Sequence, residues 1–383
     1  MERFDVVVVG AGLAGLWCSR ELARRGVNVL LVDAKAAVDR PVQTTGIFVR
    51  RTLEDFALPP VTLGRPIRRV ALYSPRRRQL VLESRHDEFR IADMPLLYRI
   101  LLADCQRFGV SWSPLTRYTG LRRSSASLTV EFGARTVQAT FIVGADGARS
   151  RVATDLRLSR NRSFIVGVEE VYEDVTPASP PTLHCILDPA LAPGYIAWVA
   201  HDGSQAHVGT AGDPQRFHPQ RALKQLSADA AELIDLGRGK CVERRAGLIP
   251  VNGVLPHLAC SRGLLIGDAA GAPSPLTAGG IDPCLRLSDF AADLLAQSVA
   301  ARNADPLCRY DGRRFSARFA ARRWMRAFFE SCGPMTLELA CALLRTPIAR
   351  RLAEHVFFGR GSFPEPARTA PRLSRAPYRY PRS

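Results

Sequence analysis

Val6 to Val9 is an uninterrupted apolar, β-branched run, the pattern of a strand buried on both faces of a parallel sheet. The period then changes. From Leu13 to Arg25, apolar Leu16, Trp17, Leu22 and Ala23 recur at helical spacing, and Gly26 stops the helix. Val27 to Val32 returns to a strand closing on Asp33, so the chain opens with a parallel βαβ unit. The same signal recurs late, as a short buried strand Leu264–Ile266 followed by a helix from Ile281 to about Ala300. A further helix covers Leu96–Leu102, and Asp39 to Pro60 reads as loop and helix. Shorter β-rich segments lie at Ile67–Ser74, Gln79–Ser84, Phe164–Tyr172, Leu183–Leu187, Tyr195–Val199 and Ala206–Thr210. They predict a mainly antiparallel sheet domain inserted into a Rossmann-like α/β domain. The fold class is α/β, α+β overall. Residues 1–65, 96–160 and 256–305 are assigned to the Rossmann-like domain, and 66–95 and 161–255 to the sheet domain. C-terminal helices follow over 306–365, then a flexible tail over 366–383, proline- and arginine-rich from Pro364 onward. No internal repeat is visible.

Two glycine-rich turns, about two hundred and fifty residues apart, carry the chemistry. The first is Gly10-Ala11-Gly12-Leu13-Ala14-Gly15. Gly10 permits the tight turn, Gly12 the approach of a pyrophosphate, and Gly15 close packing of helix on strand. The helix N-terminus offers free N–H groups and the positive end of its dipole. Asp33 stands where a carboxylate accepts hydrogen bonds from an adenosine ribose, and it would repel a 2′-phosphate. The second turn is Gly267-Asp268-Ala269-Ala270-Gly271, continued by Pro275-Leu276-Thr277-Ala278-Gly279-Gly280-Ile281. Asp268 at a strand end suits a ribitol hydroxyl, and the amides near Gly279, Gly280 and Ile281 suit a pyrophosphate and a flavin edge. Together the two turns point to one FAD.

Between them lies Phe141-Ile142-Val143-Gly144-Ala145-Asp146-Gly147-Ala148-Arg149-Ser150-Arg151. The three motifs in this order resemble the glutathione-reductase-type flavoproteins of the aromatic hydroxylase and geranylgeranyl reductase superfamily, from the N-terminus to about residue 365. The loop Pro275–Ile281 is similar to the Asn-Pro-Leu-Thr-Gly-Gly-Gly-Ile loop of the reductase branch. Pro193-Gly194-Tyr195-Ile196-Ala197-Trp198-Val199 is similar to its Gly-Tyr-x-Trp-x-Phe-Pro strand. The resemblance implies FAD contacts at Ala14, Asp33, Thr44, Thr45, Arg99, Asp268, Gly280 and Ile281. Asp146 is a further cofactor-binding candidate, in the segment where NADPH would dock transiently; NAD(P)H or another carrier is the expected reductant. Two features depart from the pattern. Thr44-Thr45 stands where many reductases carry a cysteine, and the Phe-Pro after the tryptophan is replaced by Val199-Ala200. No catalytic acid is assigned. Tyr195 and Trp198 are candidates to line a substrate chamber, with core packing the equal alternative.

The resemblance implies reduction of carbon–carbon double bonds in an isoprenoid or other apolar substrate by hydride from reduced flavin. Hydroxylation of an aromatic or polyketide-like substrate, as a monooxygenase, stays open, as does flavin binding without turnover. The signature of flavin halogenases is absent. Nine cysteines without a Cys-x-x-Cys pair, and histidines without ligand spacing, point away from a metal site. The formal charge of +17 comes from dispersed arginines rather than a nucleic-acid-binding module, so no nucleic acid is expected. Such a charge suits an anionic lipid surface, where each basic group contributes about 1 kcal/mol. The helix Asp311–Glu330, with six arginines among five aromatics, is either a membrane-surface helix or one packed with its arginines outward. No run of about eighteen apolar residues occurs and the first residues lack a secretory layout, so the expected location is cytoplasmic, with membrane-peripheral contact as an addition. Oligomeric state is not legible.

Overall fold

The computed structural model describes residues 1–124, 127–176, 180–231, 233, 234, 236 and 239–359. The chain divides into two compact units. The first comprises Met1–Val42, Pro95–Phe164 and Leu248–Met325; the second comprises Gln43–Met94, Ile165–Gly247 and the chain from Arg326 onward.

The first unit is built on strand Arg3–Val9, whose residues Val6 to Val8 are wholly buried. Burying each such valine is worth about 1.5–3 kcal/mol, which places this strand at the sheet centre. It runs parallel to Val29–Val32 on one side and to Arg135–Gly144 on the other, in register Val8 with Leu31 and Val143. Arg135–Gly144 pairs in parallel with Gly263–Leu265, and Val29–Val32 with Ser111–Ser113. Strands from three distant stretches of chain thus lie side by side with their C-terminal ends together. The helix Leu13–Arg24 crosses over between the first two strands, and Ile281–Ala301 packs against it. Arg25, just past the end of the former, reaches Asp293 on the latter at 2.8 Å.

The second unit carries a seven-stranded sheet among the described residues. Arg69–Tyr73 pairs in parallel with Thr182–Ile186 and antiparallel with Gln79–Glu83. Antiparallel ladders then join Thr182–Ile186, Ala197–His201, Ala206–Gly212 and Phe164–Glu173, and Lys240–Pro250 forms the edge beyond. Apolar clusters fill both faces. One of them takes in Ala353, Leu344, Phe357 and Phe358 from the C-terminal helices.

Three boundaries differ from expectation by more than a few residues. Residues 43–65, placed by sequence with the dinucleotide domain, belong to the second unit. There a short strand Ile47–Val49, expected as loop, pairs with Phe89–Ile91. Residues 248–255 join the first unit, and the C-terminal helical region splits at Met325. The strand expected from Tyr195 begins instead at Ala197, because Gly194 at φ +73° turns the chain and the Tyr195 N–H bonds Ala192. The predicted tail lies outside the described residues.

Candidate functional site

In the first unit the three sequence motifs meet. A Cβ at Gly10, whose φ is +105°, would stand 2.3 Å from the carbonyl oxygen of Ala145, so the first turn lies on the third motif. A Cβ at Gly15 would stand 1.8 Å from the Gly10 carbonyl oxygen, which seats the helix on its strand. A Cβ at Gly267 would stand 2.8 Å from that of Ala14, bringing the second turn onto the start of the first helix. At Gly12, by contrast, an added Cβ meets nothing within 4 Å. The three glycines of the fingerprint therefore do different things: two allow protein to pack on protein, and one leaves a space open. Gly12 is also the N-cap, with extended backbone, and no side chain of that residue caps the first amides of the helix.

Asp33 accepts hydrogen bonds from the N–H groups of Ala11 (2.7 Å) and Lys35 (2.8 Å) through different oxygens. Each oxygen keeps a second lone pair, so the carboxylate both shapes the turn and can still receive a ribose hydroxyl. Asp146 serves its own chain: it accepts from Ser150 Oγ and from the N–H groups of Arg151 and Val152, and so caps the short helix Arg151–Asp155. Arg99 is exposed and ion-paired to Asp39 at 2.9 Å.

Asp268 is different. Burial alone pushes its carboxyl up to about 6. Its backbone carbonyl takes hydrogen bonds from Asn161 Nδ2 (2.8 Å) and Gly271 N–H (3.0 Å), which hold the turn. Asn161 also binds the Ala148 carbonyl and accepts from Asn252 Nδ2, tying the second and third motifs together. No sequence motif flags Asn161 or Asn252; two isolated asparagines carry no periodic signal. Gly280 N-caps Ile281–Ala301 without a side-chain cap, and a Cβ there would stand 3.8 Å from Asp268 Oδ1. Gly279 lies one residue outside the helix.

The remaining candidates fall in the second unit. Thr44 Oγ1 accepts from the Gly46 N–H, and its carbonyl accepts from Arg245 Nη1 at 2.8 Å. Thr45 Oγ1 donates to Glu169, a buried carboxylate that also accepts from Trp198 Nε1 (3.0 Å), Arg245 Nη1 (3.1 Å) and His207 Nδ1 (3.4 Å). His207 Nε2 reaches Asp202 at 3.4 Å. Burial alone would lower the His207 pKa, but the Asp202 and Glu169 carboxylates more than offset it and raise it to about 9. Glu169 stays below the usual carboxylate range against its own burial, held there by His207 and Arg245. Trp198 lies over Gly209, where a Cβ would be 2.3 Å from the ring, and packs beside one of the sheet's apolar clusters. Tyr195 sits in the turn before that strand, its phenol pushed up by burial. Sequence reasoning missed the Glu169–His207–Arg245 network. Its only trace is an acidic residue in the middle of a β-branched strand, where an unpaired charge would be too costly to bury.

The FAD binding domain family matches residues 3–286, about three quarters of the chain. The chain belongs to that family. Within it, the chain is similar to digeranylgeranylglycerophospholipid reductases. It is 26% identical over 331 residues to the digeranylgeranylglycerophospholipid reductase of Methanocella arvoryzae, covering 81% of this chain and 82% of that one. Its fold is shared with a geranylgeranyl bacteriochlorophyll reductase-like protein from Thermoplasma acidophilum, with a TM-score of 0.78, 19% identity and coverage of 93% and 96%. It is shared also with the flavin-dependent monooxygenase PieE, with a TM-score of 0.66, 19% identity and coverage of 93% and 71%. The protein is an FAD-dependent oxidoreductase. The open space at Gly12, the uncapped helix starts at Gly12 and Gly280, and the buried Asp268 carboxylate fit a dinucleotide of that kind. Among the described residues no His, Cys, Asp or Glu cluster could hold a metal, and no helix is long and apolar enough to cross a membrane.

Proposed function

We propose that this oxidoreductase reduces carbon–carbon double bonds of an isoprenoid or similarly apolar substrate. FAD, bound and reduced by NAD(P)H or another carrier, supplies the hydride. The observation that carries the reading is the likeness to digeranylgeranylglycerophospholipid reductases over some four fifths of both chains. The reductase-like loop Pro275–Ile281 supports it.

The residues would divide the work as follows. The amides that start Leu13–Arg24 hold the pyrophosphate, with Gly12 leaving room for it. Asp33 receives the ribose hydroxyls. Asp268 receives a ribitol hydroxyl, a bond that favours its ionised form and offsets the cost of burying it. The N-terminus of Ile281–Ala301 holds negative charge at the ring edge, an effect worth about 0.3–1 kcal/mol when exposed and more when partly buried. Thr44 and Thr45 offer hydroxyls and no thiol, so no cysteine delivers the proton from that position.

The test is to reduce the FAD-loaded protein anaerobically, add a digeranylgeranyl lipid, and follow flavin reoxidation and product mass. Reoxidation with a gain of two hydrogens per reduced bond is expected. A product that gains oxygen when air is admitted would make the enzyme a monooxygenase, and binding without reoxidation by any substrate would leave a flavin-binding protein.

A further inference from the structure

The C-terminal helices bury Phe319, Leu337 and Ala353 yet carry further large apolar side chains on their outward faces. On Ser316–Ser331, Arg326 is buried and ion-paired to Glu330 at 2.6 Å, while Trp324 is 79% exposed and Phe328, one turn on, is exposed beside it. Pro334–Leu343 repeats the pattern. Its inward side carries Leu337 and Glu338, the latter accepting from the Arg76 N–H, while Met335, Leu339 and Leu343, spaced four apart on one face, are exposed. Pro347–Phe358 packs Ala353, Phe357 and Phe358 on the sheet of the second unit and leaves Ile348, 84% exposed, and Leu352 on its outer face. Seven of the twelve large apolar side chains exposed among the described residues fall between Trp324 and Leu352, so this is a concentration rather than scatter.

The charge around these stripes decides what covers them. From Ser316 to Phe358 the chain has seven arginines and three glutamates. Each glutamate is already paired, Glu330 with Arg326, Glu338 with Arg78 and Glu354 with Arg350. Arg318, Arg323, Arg345 and Arg351 are exposed. An apolar stripe flanked by long cationic side chains matches the interface of an anionic bilayer, where aromatic and aliphatic groups enter the headgroup boundary and guanidinium groups meet phosphates.

We propose that the outward faces of helices Ser316–Ser331, Pro334–Leu343 and Pro347–Phe358 dock the protein on an anionic lipid surface. The inference goes beyond the proposed reaction and stands without it. Full-length FAD-loaded protein is mixed with phosphatidylcholine vesicles with and without phosphatidylglycerol, and bound protein is measured by flotation and by the tryptophan emission maximum. Binding to anionic vesicles with a blue shift that Trp324→Phe removes is expected. Leu339→Ser with Ile348→Ser, both at exposed positions, should weaken that binding at least about tenfold, and Arg318→Gln with Arg351→Gln should do so by a similar factor. The flavin absorption spectrum and melting temperature of these variants should match those of the parent. Absence of vesicle binding, or binding unchanged in both double variants, overturns the proposal. So does a dimer in sedimentation that the Leu339→Ser, Ile348→Ser pair turns into a monomer, since a second copy would then cover the face.

Discussion

At the scale of single residues, the glycines of the first turn separate folding from binding. Gly15→Ala forces a methyl into a backbone carbonyl 1.8 Å away and should cost at least about 3 kcal/mol in chemical denaturation, or abolish folding. Gly12→Ala places its methyl in open space at a backbone angle alanine accepts. The FAD-free protein should lose no more than about 1 kcal/mol, while FAD affinity, read by flavin fluorescence quenching, falls at least about tenfold. Asp268 gives a pH signature. Its folded pKa, about 6, lies above the unfolded 3.8, so stability in the FAD-free protein is fully present below the unfolded value and declines as pH rises through about 6. Asp268→Asn should flatten that decline of about 1–3 kcal/mol and weaken FAD binding. A profile unchanged by the substitution would show that Asp268 is not the buried acid.

At the scale of elements, the Glu169–His207–Asp202 group ties strand Phe164–Glu173 to Ala206–Gly212 and the turn beside it. The folded pKa of His207 is raised to about 9 from 6.5. Its contribution is fully present below about pH 6.5 and lost as pH climbs through about 9, an effect of roughly 3 kcal/mol. Urea denaturation across that window should show the loss, and His207→Gln, which cannot take up the charge, should be less stable at pH 6 and nearly pH-independent up to 9. Long periodic elements were legible: the helix Leu13–Arg24 and the strand Gln79–Glu83 fall within a residue of their sequence assignments, and the first strand, assigned from Val6, starts at Arg3. Short strands such as Ile47–Val49 were not, because three residues carry no period and exist only through the partner strand that pairs with them.

At the scale of the whole molecule, FAD should behave as a folding ligand. At a hundredfold excess over its dissociation constant it should add about 2.7 kcal/mol to unfolding, visible as a concentration-dependent rise in melting temperature, and a constant melting point would contradict specific binding to the folded state. The sequence by itself determined the chemistry of the dinucleotide unit. A glycine fingerprint, a strand-end carboxylate and an apolar strand are local signals, each set by sterics and hydrogen-bonding capacity within a few residues. Only the tertiary structure decided what is non-local. It fixed which unit residues 43–65 join, and showed that Asp146 caps its own helix. It paired a buried glutamate with a histidine 38 residues away, and left Trp324 and Phe328 exposed while burying Phe319 on the same helix. Helical periodicity fixes which residues share a face, but the direction of that face is set by whatever the rest of the chain packs beneath it.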